Sequence, residues 1–121
     1  MIHISTNTTF NLLAISYVGP VTSNDEREIS QQIEMALRKL RPGFQVLTDL
    51  SGLHSMDYAC ASEITKRMDR FRITGVGKVV RVVPDARKDI GFNLMSQFHY
   101  GRSVPVVTCE SAGQAIEHLG G

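Results

Sequence analysis

Apolar residues follow two rhythms along this chain, short unbroken runs and stripes that return every three or four positions, and these rhythms set the predicted elements. Leu12-Leu13-Ala14-Ile15-Ser16-Tyr17-Val18 is an apolar run closed by Gly19-Pro20, a strand entering a turn. A weaker strand over about Ile2 to Thr6 precedes it, with Thr8 to Asn11 as the hairpin connection. Ile29, Ile33, Ala36, Leu37 and Leu40 then recur at helical spacing and make one stripe. Ser23-Asn24-Asp25-Glu26 offers the cap of that helix. Asp25, Glu26 and Glu28 suit its positive end, and Arg38, Lys39 and Arg41 suit its negative end. Pro42-Gly43 stops it.

Phe44 to Leu50 reads as a strand ending at Ser51-Gly52. After a short loop, Ala61, Ile64, Met68 and Phe71 mark a second amphipathic helix running to about Ile73. Gly75 and Gly77 separate it from the Val-rich strand Lys78 to Val83, which Pro84-Asp85 closes. Ile90, Leu94 and Phe98 place a third helix from about Ala86, with Gly101 past its end. Val104 to Thr108 is the last strand, and Pro105 has no N–H for a ladder, which puts the strand at a sheet edge. Ser111 caps a short final helix carrying Ala112, Ala115, Ile116 and Leu119.

The order is ββαβαβαβα. Strands alternating with helices require parallel pairing and right-handed crossovers, and the opening hairpin adds one antiparallel strand. The expected fold is therefore α/β, a mixed, mostly parallel sheet of four to five strands with about four helices, in one domain over residues 1–121. With 42% hydrophobic and 21% charged residues the chain is of ordinary globular composition. No apolar run approaches the roughly 20 residues of a membrane span, and the start Met1-Ile2-His3-Ile4-Ser5 lacks a secretory signal, so a cytoplasmic location is expected. Cys60 and Cys109 lie far apart and form no CxxC; each reads as a small buried hydrophobe.

The formal net charge of +1 excludes a strongly basic nucleic-acid binder, but it is unevenly spread. Residues 1–65 carry a net −3 and residues 66–102 a net +6. A basic segment folded to one side would attract an acidic partner or an anionic ligand; the alternative is a set of solvated helix faces.

Most enzymatic patterns are missing. There is no GxxxxGK[ST] loop, and Gly75-Val76-Gly77 follows a helix and enters a strand, the reverse of a phosphate-binding turn. His3, His54, His99 and His118 have no metal-ligand spacing, so no metal site is expected, and nothing calls for a cofactor. A Cys60/His54 couple lacks the electropositive setting that a thiolate needs. Phe71 and the scattered tyrosines make no aromatic platform for single-stranded nucleic acid.

One stretch carries more, Thr48-Asp49-Leu50-Ser51-Gly52-Leu53-His54-Ser55-Met56-Asp57-Tyr58-Ala59-Cys60. It reads as a strand end, a tight loop and a helix start, at the carboxyl end of a strand, where open α/β sheets receive partners. Asp57 is placed to cap the helix, and the same helix start suits a phosphate or carboxylate.

Asp49-Leu50-Ser51-Gly52 followed by Asp57 at a helix start resembles the STAS domain of bacterial anti-sigma factor antagonists, the SpoIIAA-like proteins, in which Asp-Leu-Ser-Gly ends a strand and Asp-Ser-Ser-Gly opens a helix. The element order agrees over nearly the whole chain. The resemblance implies a non-enzymatic protein that binds an anti-sigma-type kinase or another signalling partner, switched by phosphorylation of the serine after the helix-start Asp. Here Tyr58-Ala59-Cys60 stands in that place, so the usual phosphoacceptor is absent, and Ser55 and Ser51 are the substitute hydroxyls. The expected partner-binding set is Asp49, Ser51, Ser55, Asp57 and Tyr58, with Lys66, Arg67 and Arg70 on the following helix steering an acidic partner.

Gly19-Pro20-Val21-Thr22 with Asp25 also resembles the Gly-x-Leu-Thr-x-x-Asp entry of stand-alone SpoIIAA-like proteins, a fold related to CRAL-TRIO lipid carriers. That branch implies a pocket for a small hydrophobic or anionic ligand lined by Met35, Met56, Met68, Met95, Phe92 and Phe98; the same residues also read as plain core. An exposed edge strand makes a two-fold homodimer a further expectation.

Overall fold

A computed structural model of the protein describes residues 1–84, 96 and 100–119. The elements are β1 (Ile2–Asn7), β2 (Leu12–Val21), α1 (Ser23–Glu28), α2 (Ser30–Lys39), β3 (Gln45–Met56), α3 (Cys60–Thr74), β4 (Lys78–Val82), a 3-10 turn (Gly101–Ser103), β5 (Val106–Cys109) and α4 (Ala112–His118). The helix expected from Ala86 through Ile90, Leu94 and Phe98 lies outside the described residues.

The five strands follow chain order across the sheet, β1-β2-β3-β4-β5. β1 pairs antiparallel with β2, with Ile4 opposite Ile15, and every later pair is parallel. When successive parallel strands step one way across a sheet, right-handed crossovers all land on one face. Accordingly, Ile29 and residues of α2 and α3 share one core cluster with Leu13, Ile15 and Tyr17 of β2 and Val46 and Leu50 of β3. The opposite face is covered over β4 and β5 by α4, where Val80 and Val82 meet Cys109 and Ala115. β4 is thus buried on both faces, which explains why valines fill it on either side of the buried Arg81. β5 is an edge strand, as Pro105 requires, and the Pro105 carbonyl still accepts from the Val79 N–H at 2.9 Å.

The chain enters β4 past a close backbone approach. A Cβ on Gly77 would come within 2.7 Å of the Gly43 carbonyl oxygen, so only glycine fits there.

Two elements differ from the sequence reading. The helix expected from Ser23 to Leu40 breaks at Ile29 into α1 and α2, and its cap is Thr22 rather than Ser23. Thr22 Oγ1 accepts from the Asp25 N–H at 3.2 Å while Asp25 Oδ2 accepts from the Thr22 N–H at 2.9 Å, a reciprocal capping box. The break has a cause in the core. The Glu26 carbonyl takes the Ser30 hydroxyl at 3.2 Å and Arg67 Nη2 at 3.2 Å, so a guanidinium from α3 engages it where α1 meets α2.

β3 is the second difference. It does not end at Ser51-Gly52 but continues to Met56, and the segment expected as a loop is mostly strand. Pairing with β2 slips twice, from Ser16↔Asp49 to Val18↔Gly52 and from Gly19↔Leu53 to Pro20↔Ser55, so β3 carries an extra residue at each place. A bulged strand lacks clean alternation, which is why periodicity reads it as a loop.

Candidate functional site

The carboxyl ends of β2 and β3 and the starts of α1 and α3 meet at one end of the sheet. The Asp57 N–H donates to the Val21 carbonyl at 3.0 Å, tying the end of β3 to the end of β2. The Asp57 carbonyl then accepts from the Cys60 N–H at 3.0 Å and the Tyr58 carbonyl from the Ala61 N–H at 3.2 Å, which winds the chain into α3. Tyr58 sits on this pinned turn and is 96% exposed. His54, Ser55, Asp57 and Ala59 are exposed beside it in sequence.

The Asp-Leu-Ser-Gly motif builds the first bulge. Asp49 Oδ1 accepts from the Ser51 N–H at 2.9 Å and the Ser51 hydroxyl at 2.6 Å, folding the backbone at the slip. Leu50 is wholly buried in the core. Gly52 lies where a Cβ would come to 3.2 Å from the Tyr17 carbonyl oxygen. Each residue of the motif therefore has a structural task. The Ser51 hydroxyl is spent on Asp49 Oδ1, whereas Ser55 of β3, opposite Pro20 of β2, is exposed.

Asp57 is not the helix cap that the sequence suggested. α3 begins at Cys60, its cap position is Ala59, and no side chain caps it. The longer β3 consumes the residues assigned to the loop, which leaves Asp57 in the turn and exposed. Its carboxylate forms no ion pair with the described residues.

The expected basic face of α3 is corrected more deeply. Arg67 is 8% exposed. Its Nη1 reaches both the Glu26 carboxylate, in a short ion pair, and the Tyr17 hydroxyl at 3.2 Å. Glu26 has no exposed surface, and its Oε1 has no hydrogen-bond partner among the described residues. Burial pushes the Glu26 carboxyl above the ordinary carboxylate range, with Arg67 opposing. Burial, then the nearby Glu26 charge, push the Tyr17 phenol up as well. Arg70 pairs with Glu34 of α2 at 2.8 Å, Arg72 with Asp69 at 2.8 Å, and Lys66 with Glu63 at 3.8 Å. The described cations of α3 are thus balanced locally, and they do not form one field around Tyr58. Lys66, with its side chain 74% exposed, is the most open of the three expected steering groups.

The Glu26–Arg67–Tyr17 cluster was missed by sequence reasoning, yet it had a signal. Glu26 falls on the helical stripe of Ile29 and Ile33, and Arg67 on that of Ile64 and Phe71, each a charge in register with core residues.

The ligand-carrier alternative finds little room here. Between the sheet and α3 the described residues enclose about 20 Å³, lined in part by Tyr17, Thr48, Arg67, Arg81 and Tyr100. That is space for a water molecule. Of the expected lining residues, Met68 borders this space, Met35 is 52% exposed on α2, and Met95, Phe92 and Phe98 lie outside the described residues. The Cys60 thiol is buried, its Sγ 3.8 Å from the Val21 carbonyl, and burial followed by the charges of Glu26 and Asp57 push its pKa up, away from a thiolate. Among the described residues, no helix is long and apolar enough to cross a membrane.

No family model matches the chain, and no curated protein sequence matches it. Among solved structures, it is similar to an uncharacterised protein of the DUF3478 family with a SpoIIAA-like fold from Shewanella loihica, with a TM-score of 0.77 and 19% identity, over 98% of this chain and 93% of that one. It is also similar to the anti-sigma factor antagonist SpoIIAA in its unphosphorylated form, with a TM-score of 0.64 and 16% identity, over 98% of this chain and 96% of that one. At such identities the likeness lies in the course of the backbone. The chain has the SpoIIAA-like α/β fold that its Asp49–Gly52 motif and element order imply.

Proposed function

We propose that the chain, over residues 1–121, is a cytoplasmic, non-enzymatic interaction module that docks a protein partner at the β3–α3 junction, with Tyr58 as its anchor. The observation that carries this reading is a tyrosine 96% exposed on a turn held by three backbone hydrogen bonds. A large aromatic side chain held out on a fixed turn loses little freedom on binding, the condition under which tyrosine contributes most to an interface. The likeness to an anti-sigma factor antagonist supports a partner of the anti-sigma-factor kind.

Recognition here rests on Tyr58, Asp57 and Ser55 more than on the basic groups of α3. Arg67 leaves the binding set because it is buried and paired. Lys66 remains as the cation nearest solvent, and an acidic partner would be steered by it alone among the three. Phosphorylation of Ser51 would cost its hydrogen bond to Asp49, so Ser55 is the better placed hydroxyl if the module is switched that way.

The test is quantitative capture of partners from the source cell with wild-type protein, Tyr58→Ala and Asp57→Ala in parallel. The reading expects a partner retained by wild type and lost with Tyr58→Ala while the thermal midpoint stays unchanged. A retained partner indifferent to both substitutions would remove the junction as the docking site.

A further inference from the structure

At the opposite end of the sheet, where the parallel strands begin, lies a groove of about 250 Å³ lined by Phe10, Leu12, Gln45, Ile116 and Leu119. We propose that it is a second docking site, for an acidic amphipathic segment of a protein partner, with Phe10 and Ile116 as apolar anchors and Arg41 and Lys78 at its rim. Phe10 is 67% and Ile116 69% exposed, so two large apolar side chains flank a cleft that they do not fill.

The turn that carries Phe10 is built to hold it. The Phe10 N–H donates to Asn7 Oδ1 at 3.1 Å. Asn11 adopts a left-handed conformation, φ 54°, and its side chain both donates to the Arg41 carbonyl and accepts from the Arg41 N–H. The Asn11 carbonyl accepts from the Gln45 N–H at 3.0 Å. A hairpin tip would otherwise be mobile; this one is fastened to the end of α2 and the start of β3, so the ring is presented already ordered.

Charge selects the occupant. Arg41, tied through its backbone to Asn11 beside Phe10, and Lys78 form no ion pair among the described residues, in contrast to Lys66, Arg67, Arg70 and Arg72. Lys78 lies opposite Gln45 in the sheet, and its Nζ donates to the His118 carbonyl at 2.6 Å, which places the ammonium beside the groove. α4 supplies one carboxylate, Glu117, against these cations. A second copy docked about a two-fold axis would bring the same cations face to face, which like charges oppose. A cleft sized for side chains suits a protein segment better than the broad surface of a bilayer.

The experiment is selection of random peptides on the immobilised full chain, followed by fluorescence titration of the winners against wild type, Phe10→Ser, Ile116→Ser, Lys78→Glu and Tyr58→Ala, each checked by circular dichroism. Enriched peptides should combine Asp or Glu with two or three apolar residues. Phe10→Ser and Ile116→Ser should each weaken binding about tenfold or more, Lys78→Glu should weaken it and flatten its salt dependence, and Tyr58→Ala should leave it unchanged. Selection of basic peptides, or binding indifferent to both Phe10→Ser and Ile116→Ser, overturns the proposal. Phe10-dependent binding to phosphatidylserine vesicles, or a dimer in sedimentation that Phe10→Ser dissolves, overturns it as well, by assigning the groove to a membrane or a second copy.

Discussion

Removing the Arg67 guanidinium should be among the most damaging single changes to this protein, although the residue sits on a helix that reads as a basic surface. In Arg67→Met the side-chain volume is roughly kept, but Glu26 is left with no exposed surface and no counter-charge. The Tyr17 hydroxyl and the Glu26 carbonyl also lose a donor, both at 3.2 Å. Breaking one side of a buried pair costs about 3–5 kcal/mol, which for a chain of this length corresponds to a fall of roughly 10–20 °C in Tm. Urea and thermal unfolding followed by circular dichroism would measure it. Arg67→Lys should recover only part of the loss, because a single nitrogen cannot span acceptors that Arg67 serves from both Nη1 and Nη2. The double variant Glu26→Leu/Arg67→Met should lie within about 2 kcal/mol of wild type, since it removes both charges together.

The same cluster fixes the sign of a pH effect. Burial holds the folded-state pKa of Glu26 above its ordinary 4.5. A carboxyl raised on folding stabilises fully below its unfolded pKa, and that contribution is lost as pH rises through the folded pKa. Without Arg67 the opposing pull disappears and the window extends upward. Arg67→Met should therefore regain stability as pH falls toward the ordinary carboxylate range, more than wild type does. An Arg67→Met protein within about 1 kcal/mol of wild type, with no such recovery, would refute the whole account of this cluster.

Thr22→Ala removes one half of the capping box and should cost about 1 kcal/mol in urea unfolding. Asp25, the other half, is held below its ordinary 3.8 first by the Thr22 N–H. Its stabilising effect is present above the unfolded pKa and lost as pH falls through the folded one, so the gap between wild type and Asp25→Asn should close on acidification. Gly77→Ala, with a methyl placed 2.7 Å from the Gly43 carbonyl oxygen, should lose about 1–3 kcal/mol, and an unchanged Tm would show that the backbone there yields. Tyr58→Ala should leave unfolding within about 0.5 kcal/mol of wild type; a larger loss would mean that Tyr58 packs somewhere.

What sequence showed and hid here follows from physics. The strand-helix alternation, the antiparallel hairpin and the edge position of the last strand were legible because each depends on local pattern, down to the missing N–H of Pro105. The length of β3 was not, since a bulge replaces alternation by a slip in pairing that depends on the neighbouring strand. The fate of Arg67 was half-legible. Position 67 lies on the apolar stripe of α3, but only the packing of α1 across it supplies Glu26, 41 residues away in sequence. Charges counted along a chain cannot distinguish a field from a set of pairs, which is why the four cations of α3 looked like a face.

The Asp49–Gly52 motif and Tyr58 stand differently toward the fold. Asp49, Leu50, Ser51 and Gly52 are each demanded by the backbone: a turn-closing carboxylate and its hydroxyl, a core side chain, and a close approach to Tyr17. Replacing any of them disturbs the bulge that lets β3 reach the end of β2. Tyr58 is demanded by nothing in the fold, because its side chain touches solvent almost everywhere and its turn is held by main-chain bonds that any residue could supply. The scaffold therefore fixes the course of the β3–α3 junction and leaves the side chain at position 58 free to vary. On the proposed reading Tyr58 would act through its exposed aromatic area, the property that makes tyrosine a frequent interface anchor.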